Sequence, residues 1–92
     1  MTPILVPVTS SNLLAVGYDP AARTLYVAFR GTARSLYAYD DVPPHIAAAL
    51  MTATSHGEYL NRVIKGAHPY RRLLPLTEAE YATLETALTE AA

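Results

Sequence analysis

Cysteine is absent from this 92-residue chain, so no disulfide can staple it and no thiolate can act as nucleophile or metal ligand. Glycine is scarce, at four residues, and nowhere clusters into a phosphate-cradling loop. Charge is sparse as well. Asp, Glu, Lys and Arg make up 16% of residues against 51% apolar, which excludes a disordered chain and favours a compact globule, or one that also buries surface in self-association. No apolar run is long: Ile4-Leu5-Val6 is bracketed by Pro3 and Pro7 with no basic residue ahead of it, unlike an export signal. Nothing approaches the ~20 apolar residues of a membrane span. These absences leave one domain with a single modest core, no membrane contact and an expected cytoplasmic location.

What is present reads first as strands. Residues 1–9 form an extended arm suited to a sheet edge or a neighbouring subunit. In Leu13-Leu-Ala-Val-Gly-Tyr18, Leu14, Val16 and Tyr18 alternate with Leu13, Ala15 and Gly17. Asp19-Pro20 supplies a turn. Thr24–Arg30 then has the clearest period of two, with Leu25, Val27 and Phe29 on one face and Tyr26, Ala28 and Arg30 on the other. After Gly31, the run Ser35-Leu-Tyr-Ala-Tyr39 returns, placing Tyr37 and Tyr39 on one face. These tyrosines are core if they face the following helices, and an aromatic platform for stacking if they face solvent.

Helices follow. Pro43-Pro44 opens the first, whose Ile46, Ala49, Leu50 and Ala53 share a face. Ser55-His-Gly-Glu58 is a capping box that starts a second short helix. Its buried stripe is Tyr59, Leu60, Val63 and Ile64, and Gly66 ends it. His68–Arg72 is a non-helical link. Thr77-Glu-Ala-Glu80 caps a last helix with Leu76 and Tyr81 as a hydrophobic staple; its apolar face is Tyr81, Leu84, Leu88 and Ala91, and Glu78, Glu85 and Glu90 make an acidic outer surface. The expected fold is α+β: an N-terminal three-stranded antiparallel meander, two short helices and a C-terminal amphipathic helix. Its core is Leu25, Val27, Phe29, Ile46, Leu50, Leu60, Val63 and Ile64.

Catalytic chemistry is weakly represented. His45, His56 and His68 lack the one-turn spacing of a metal pair and read as ordinary surface histidines. Of Asp40-Asp41, one is expected to cap the Pro43 helix, and Ser55 reads as a cap rather than a nucleophile. No enzyme, metal or cofactor is expected. The stronger constellation is basic: Asn61, Arg62 and Lys65 on the second helix, followed by Tyr70, Arg71 and Arg72, which suits phosphate contact plus base stacking. Arg62 and Lys65, three apart, are expected as neighbours on the helix surface.

Several segments, in order and spacing, resemble the KTSC domain. They are Ser10-Ser11-Asn12, Gly17-Tyr18-Asp19, Tyr37-Ala38-Tyr39, Val42-Pro43, Ser55-His56-Gly57 with Tyr59 and Asn61, Ile64-Lys65-Gly66, and Pro69-Tyr70. That domain is a short bacterial module named for its occurrence at the C-terminus of some lysyl-tRNA synthetases and found alone in small proteins. The resemblance divides the chain into an arm (1–9), a KTSC-like domain (10–72) and a helix beyond it (73–92). It implies a binding module for which an RNA role follows by analogy.

Three function classes therefore compete: an RNA-contacting accessory module, a homo-oligomeric binder of a small nucleotide, and a protein-interaction module. Self-association, by default as a dimer, is expected from the apolar fraction and the added helix.

Overall fold

Alternating side chains and two tight turns generate the centre of the molecule. In the computed structural model residues 4–91 are described, 88–91 by backbone alone. Its architecture is α+β, an antiparallel sheet of five strands in sequence order with three helices. The expected meander supplies the middle three: β2 (Leu13–Asp19), β3 (Thr24–Phe29) and β4 (Leu36–Tyr39). The arm adds β1 (Val6–Pro7) along β2, pairing Val6 with Val16 and Pro7 with Ala15. The link after the second helix adds β5 (Tyr70–Arg72) along β4, pairing Tyr37 with Arg72 and Tyr39 with Tyr70. Both additions are edge strands of two or three residues, too short to show a period in sequence.

A bulge explains why both faces of β2 are apolar. Leu13 pairs with Phe29 but Ala15 pairs with Ala28, so Leu14 is inserted and the alternation flips across it. Leu13, Val16 and Tyr18 consequently share one face, and Leu14 and Ala15 the other. The simple alternation expected from sequence is thus corrected at one residue.

The face carrying Leu13, Val16, Leu25, Val27 and Tyr39 is covered by α1 (Pro44–Thr52) and by α2 (His56–Tyr59), which continues as a π-helical turn over Leu60–Ile64. Of the expected core, Leu25, Val27, Leu50, Leu60 and Ile64 are buried, while Phe29, Ile46 and Val63 pack half-buried against them. Pro44 opens α1 as expected, but no side chain caps it. Asp41 instead occupies a left-handed turn at φ 58°, and Asp40 turns its carboxylate to Arg71. Ser55 Oγ does cap α2, accepting from Glu58 N–H at 3.3 Å. Gly66, at φ 83°, ends the helical segment.

The opposite face holds Leu14, Ala15, Ala28 and Leu36 under Leu76 and α3 (Glu78–Ala91). The Thr77 capping box is complete: Glu80 N–H donates to Thr77 Oγ1 at 3.1 Å and Thr77 N–H to Glu80 Oε1 at 2.8 Å. Arg34 and Arg30 ion-pair with Glu78 and Glu85, and Tyr81 Oη accepts from Gly31 N–H at 3.0 Å. The expected extension of the stripe to Leu88 and Ala91, and the position of Glu90, lie outside the described side chains. No helix among the described residues is long and apolar enough to cross a membrane.

Candidate functional site

The first helical layer stops short of the β4–β5 end of the sheet, leaving aromatic rings in a depression. Phe29, Ser35, Tyr37, Tyr39, Lys65, Gly66 and Tyr70 line a pocket of about 480 Å³. Tyr37 sits edge-on to Phe29 (5.6 Å between centroids) and to Tyr70 (5.9 Å). Tyr39 is 3% exposed and Tyr70 64% exposed, so the rings grade from core to surface. Tyr39 belongs to the core, and the wet part of the platform is Phe29, Tyr37 and Tyr70. Burial, and then the neighbouring Tyr37 and Tyr70 hydroxyls, raise the Tyr39 hydroxyl above its ordinary value, which keeps it neutral.

Cations frame this pocket. Lys65 Nζ lies 5.5 Å from the Phe29 centroid and the Arg72 guanidinium carbon 5.9 Å from that of Tyr37. Among the described residues, Arg30, Arg34, Arg62 and Arg71 each ion-pair with a carboxylate, whereas Lys65 and Arg72 have only ring partners inside the chain. Strand alternation places Arg72 and Tyr70 on the pocket side of β5. It turns Arg71 away, where Nε and Nη2 donate to the two Asp40 carboxylate oxygens at 3.0 Å each. That pairing holds the Asp40 carboxyl below the ordinary carboxylate value.

The basic segment is therefore split. Lys65, Tyr70 and Arg72 come together with Tyr37. Arg62, paired with Glu58 at 3.9 Å, lines a separate polar cavity of about 650 Å³ with Asn61, Ser10, Ser11, Asn12, Ser55 and His56. Arg62 and Lys65 do not form the surface pair that α-helical spacing implies. The π-turn, closed by Lys65 N–H donating to Leu60 O at 2.8 Å, widens the last turn, and Lys65 then leaves it with extended backbone. A smaller concavity of about 200 Å³ joins the two, sharing Phe29 and Lys65 with the aromatic pocket and Asn12, Gly57 and Asn61 with the polar one.

A model of the KTSC domain matches residues 9–70. The chain belongs to the KTSC domain family. An uncharacterised protein of Stutzerimonas stutzeri is 43% identical over 63 residues, covering 68% of this chain and 86% of that protein. A protein of Tsukamurella paurometabola is 42% identical over 59 residues, covering 64% and 85% respectively. The crystal structure of a KTSC domain protein from Yersinia pestis superposes with a TM-score of 0.73 at 36% identity, covering 78% of this chain and 99% of that one. Within this KTSC protein, Ser10-Ser11-Asn12, Ser55-His56-Gly57 and Asn61 line the polar cavity, while Tyr37, Tyr39, Lys65, Gly66 and Tyr70 line the aromatic one. α3 lies beyond the matched residues.

Sequence reasoning passed over Phe29, read as core, His56, read as a surface histidine, and Asn12, given no role beyond the family resemblance. Phe29 had a signal, since it ends its strand, where cover by helices gives out. His56 had none: its Nδ1 donates to Leu50 O at 2.7 Å, a partner six residues back that no spacing rule supplies.

Proposed function

We propose that this KTSC protein is a non-enzymatic binding module for RNA or a related nucleobase-bearing phosphate ligand. A base would stack in the pocket of Phe29, Tyr37 and Tyr70, and Lys65 and Arg72 would meet its phosphate. The observation that carries this reading is the sorting of cations: of the three described cations without a carboxylate partner, Lys65 and Arg72 lie over the rings of one aromatic pocket, and the third, Arg23, sits at the exposed β2–β3 turn. Exposed aromatic faces next to uncommitted positive charge are what stacking plus phosphate contact requires. Arg71 serves the fold through Asp40, and Arg62 and Asn61 serve the neighbouring cavity.

Calorimetric titration with nucleotides and short single-stranded RNA at low salt tests the reading. Tyr70→Ala and Lys65→Ala should each weaken binding by about 1–3 kcal/mol without loss of folding. With two cations engaged, the salt dependence should be shallow, a log–log slope of roughly −1 to −2. No binding of any phosphate-bearing ligand at low salt would remove it.

Protein interaction or self-association is the second reading. It is supported by Ile4 and Leu74, both 87% exposed, and by half-exposed Val6 on the edge strand. It draws less support from β2 and α3 than their sequences promise, because Leu14 and Ala15 are covered by Leu76, Tyr81 and Leu84 within one chain. Light scattering over a range of concentrations separates dimer from monomer.

A further inference from the structure

We infer that the ligand is a single strand of at least two nucleotides, with the polar cavity of Ser10–Asn12, His56 and Asn61 receiving the sugar–phosphate next to the stacked base. This rests on the reading of the aromatic pocket above and goes beyond it, since a single nucleotide needs that pocket alone.

Three observations point this way. The cavities adjoin. The concavity lined by Asn12, Arg30, Gly57, Asn61 and Lys65 lies between the aromatic pocket and the polar one, sharing Phe29 and Lys65 with the first and Asn12, Gly57 and Asn61 with the second.

The polar end is also chemically different from the aromatic end. Its lining has hydroxyls, carboxamides, an imidazole and the Arg62–Glu58 ion pair in place of rings. Among the described residues the carboxamides of Asn12 and Asn61 have no hydrogen-bond partner in the chain. A backbone carbonyl can only accept, so the 2.7 Å contact to Leu50 O makes His56 Nδ1 the donor and leaves Nε2 as an acceptor when the ring is neutral. Ser10 Oγ accepts from Asn12 and Leu13 N–H and keeps its own hydrogen to donate. Donors and acceptors together suit a ribose hydroxyl and a phosphodiester, which present both. The cavity carries one charge of each sign, and the Arg62–Glu58 pair is loose, at 3.9 Å with both side chains well exposed, so a phosphate can take Arg62 while Glu58 turns to solvent.

The test is affinity against strand length. Adenosine 5′-monophosphate, the dinucleotide pApA and the tetranucleotide would be titrated by calorimetry into the full chain at one low salt concentration. pApA should bind about tenfold or more tightly than the mononucleotide, the effect of one or two added hydrogen bonds to a charged group. Combining Asn12→Ala with Asn61→Ala should return pApA to mononucleotide affinity and leave the mononucleotide unchanged, while Tyr70→Ala weakens both. Asn61→Asp, close in shape, should weaken pApA alone through charge repulsion, and serves if the double variant fails to fold. If pApA and the tetranucleotide bind no more tightly than the mononucleotide, or the asparagine variants leave the length effect intact, the strand proposal is overturned and the aromatic reading stands. If none of the three binds, the aromatic reading falls as well.

Discussion

At the scale of residues, side chains of one type divide between fold and site according to burial. Tyr39, 3% exposed among Leu25, Val42 and its neighbours, is expected to cost about 3–5 kcal/mol on Tyr39→Ala, as large aromatic truncations do. Tyr70, 64% exposed, loses only its ring-edge contacts, so Tyr70→Ala should cost at most about 1 kcal/mol in urea unfolding. Equal losses would mean the pocket grades less steeply than its exposure implies. The same division separates Arg71 from Arg72. Arg71's two hydrogen bonds keep Asp40 ionised to lower pH than an unfolded carboxyl with its ordinary value of 3.8. A lowered folded value means the stabilisation is present above that ordinary value and is lost as pH falls through the lowered one. Asp40→Asn should therefore flatten the acid side of the stability–pH curve between about pH 2 and 5. An acid slope unchanged from the parent would show that this solvated pair contributes nothing measurable. Asp40 also shows where reading the sequence misled: Asp before Pro-Pro looks like a helix cap, but a guanidinium 31 residues away takes the carboxylate, and no local pattern encodes that.

At the scale of elements, what was legible is what repeats. Six consecutive residues of β3 alternate cleanly and Thr77-Glu-Ala-Glu80 matches a capping box, so both read correctly. β1 and β5 carry no periodic signal and are strands only because β2 and β4 offer them edges. The missing β5 is also why the basic segment looked like one patch. Once Tyr70–Arg72 is extended, alternate residues point to opposite faces and the two arginines part. The π-turn separates Arg62 from Lys65 in a comparable way, and a one-residue widening leaves no trace in a heptad-like stripe. The arm has a different kind of anchor. A Cβ on Gly17 would overlap the Ile4 carbonyl oxygen and crowd Leu5, so the arm lies on β2 only because position 17 has no side chain. Gly17→Ala should lift it off, with a cost of about 1–3 kcal/mol and faster hydrogen exchange at the Val8 amide, which donates to Leu14 O. Unchanged exchange there would mean that the arm gives way without leaving the sheet.

At the scale of the whole molecule, the sheet separates two tasks. Its α1/α2 face holds the aromatic pocket and joined cavities, while its other face holds Leu14, Ala15, Ala28 and Leu36 beneath Leu76 and α3. The KTSC match ends at residue 70, so α3 is a cover this chain supplies beyond the matched domain. It is held by apolar burial and by Arg30 and Arg34, which reach it from the loop between β3 and β4. Leu76, 4% exposed, is the residue that seats the helix. Its own N–H donates to Arg34 O at 2.9 Å and its carbonyl accepts from Arg34 Nε at 2.8 Å. Leu76→Ala keeps those backbone bonds and removes only the buried side chain, so it should lower stability by about 2–5 kcal/mol. Because the sheet lies between this residue and the pocket, nucleotide affinity of the folded variant should be unchanged, a combination that calorimetry and urea unfolding on one preparation can read together. A folded Leu76→Ala protein that has lost binding would show that the faces are coupled through the β3–β4 pair, and that the cover helix shapes the site it does not touch.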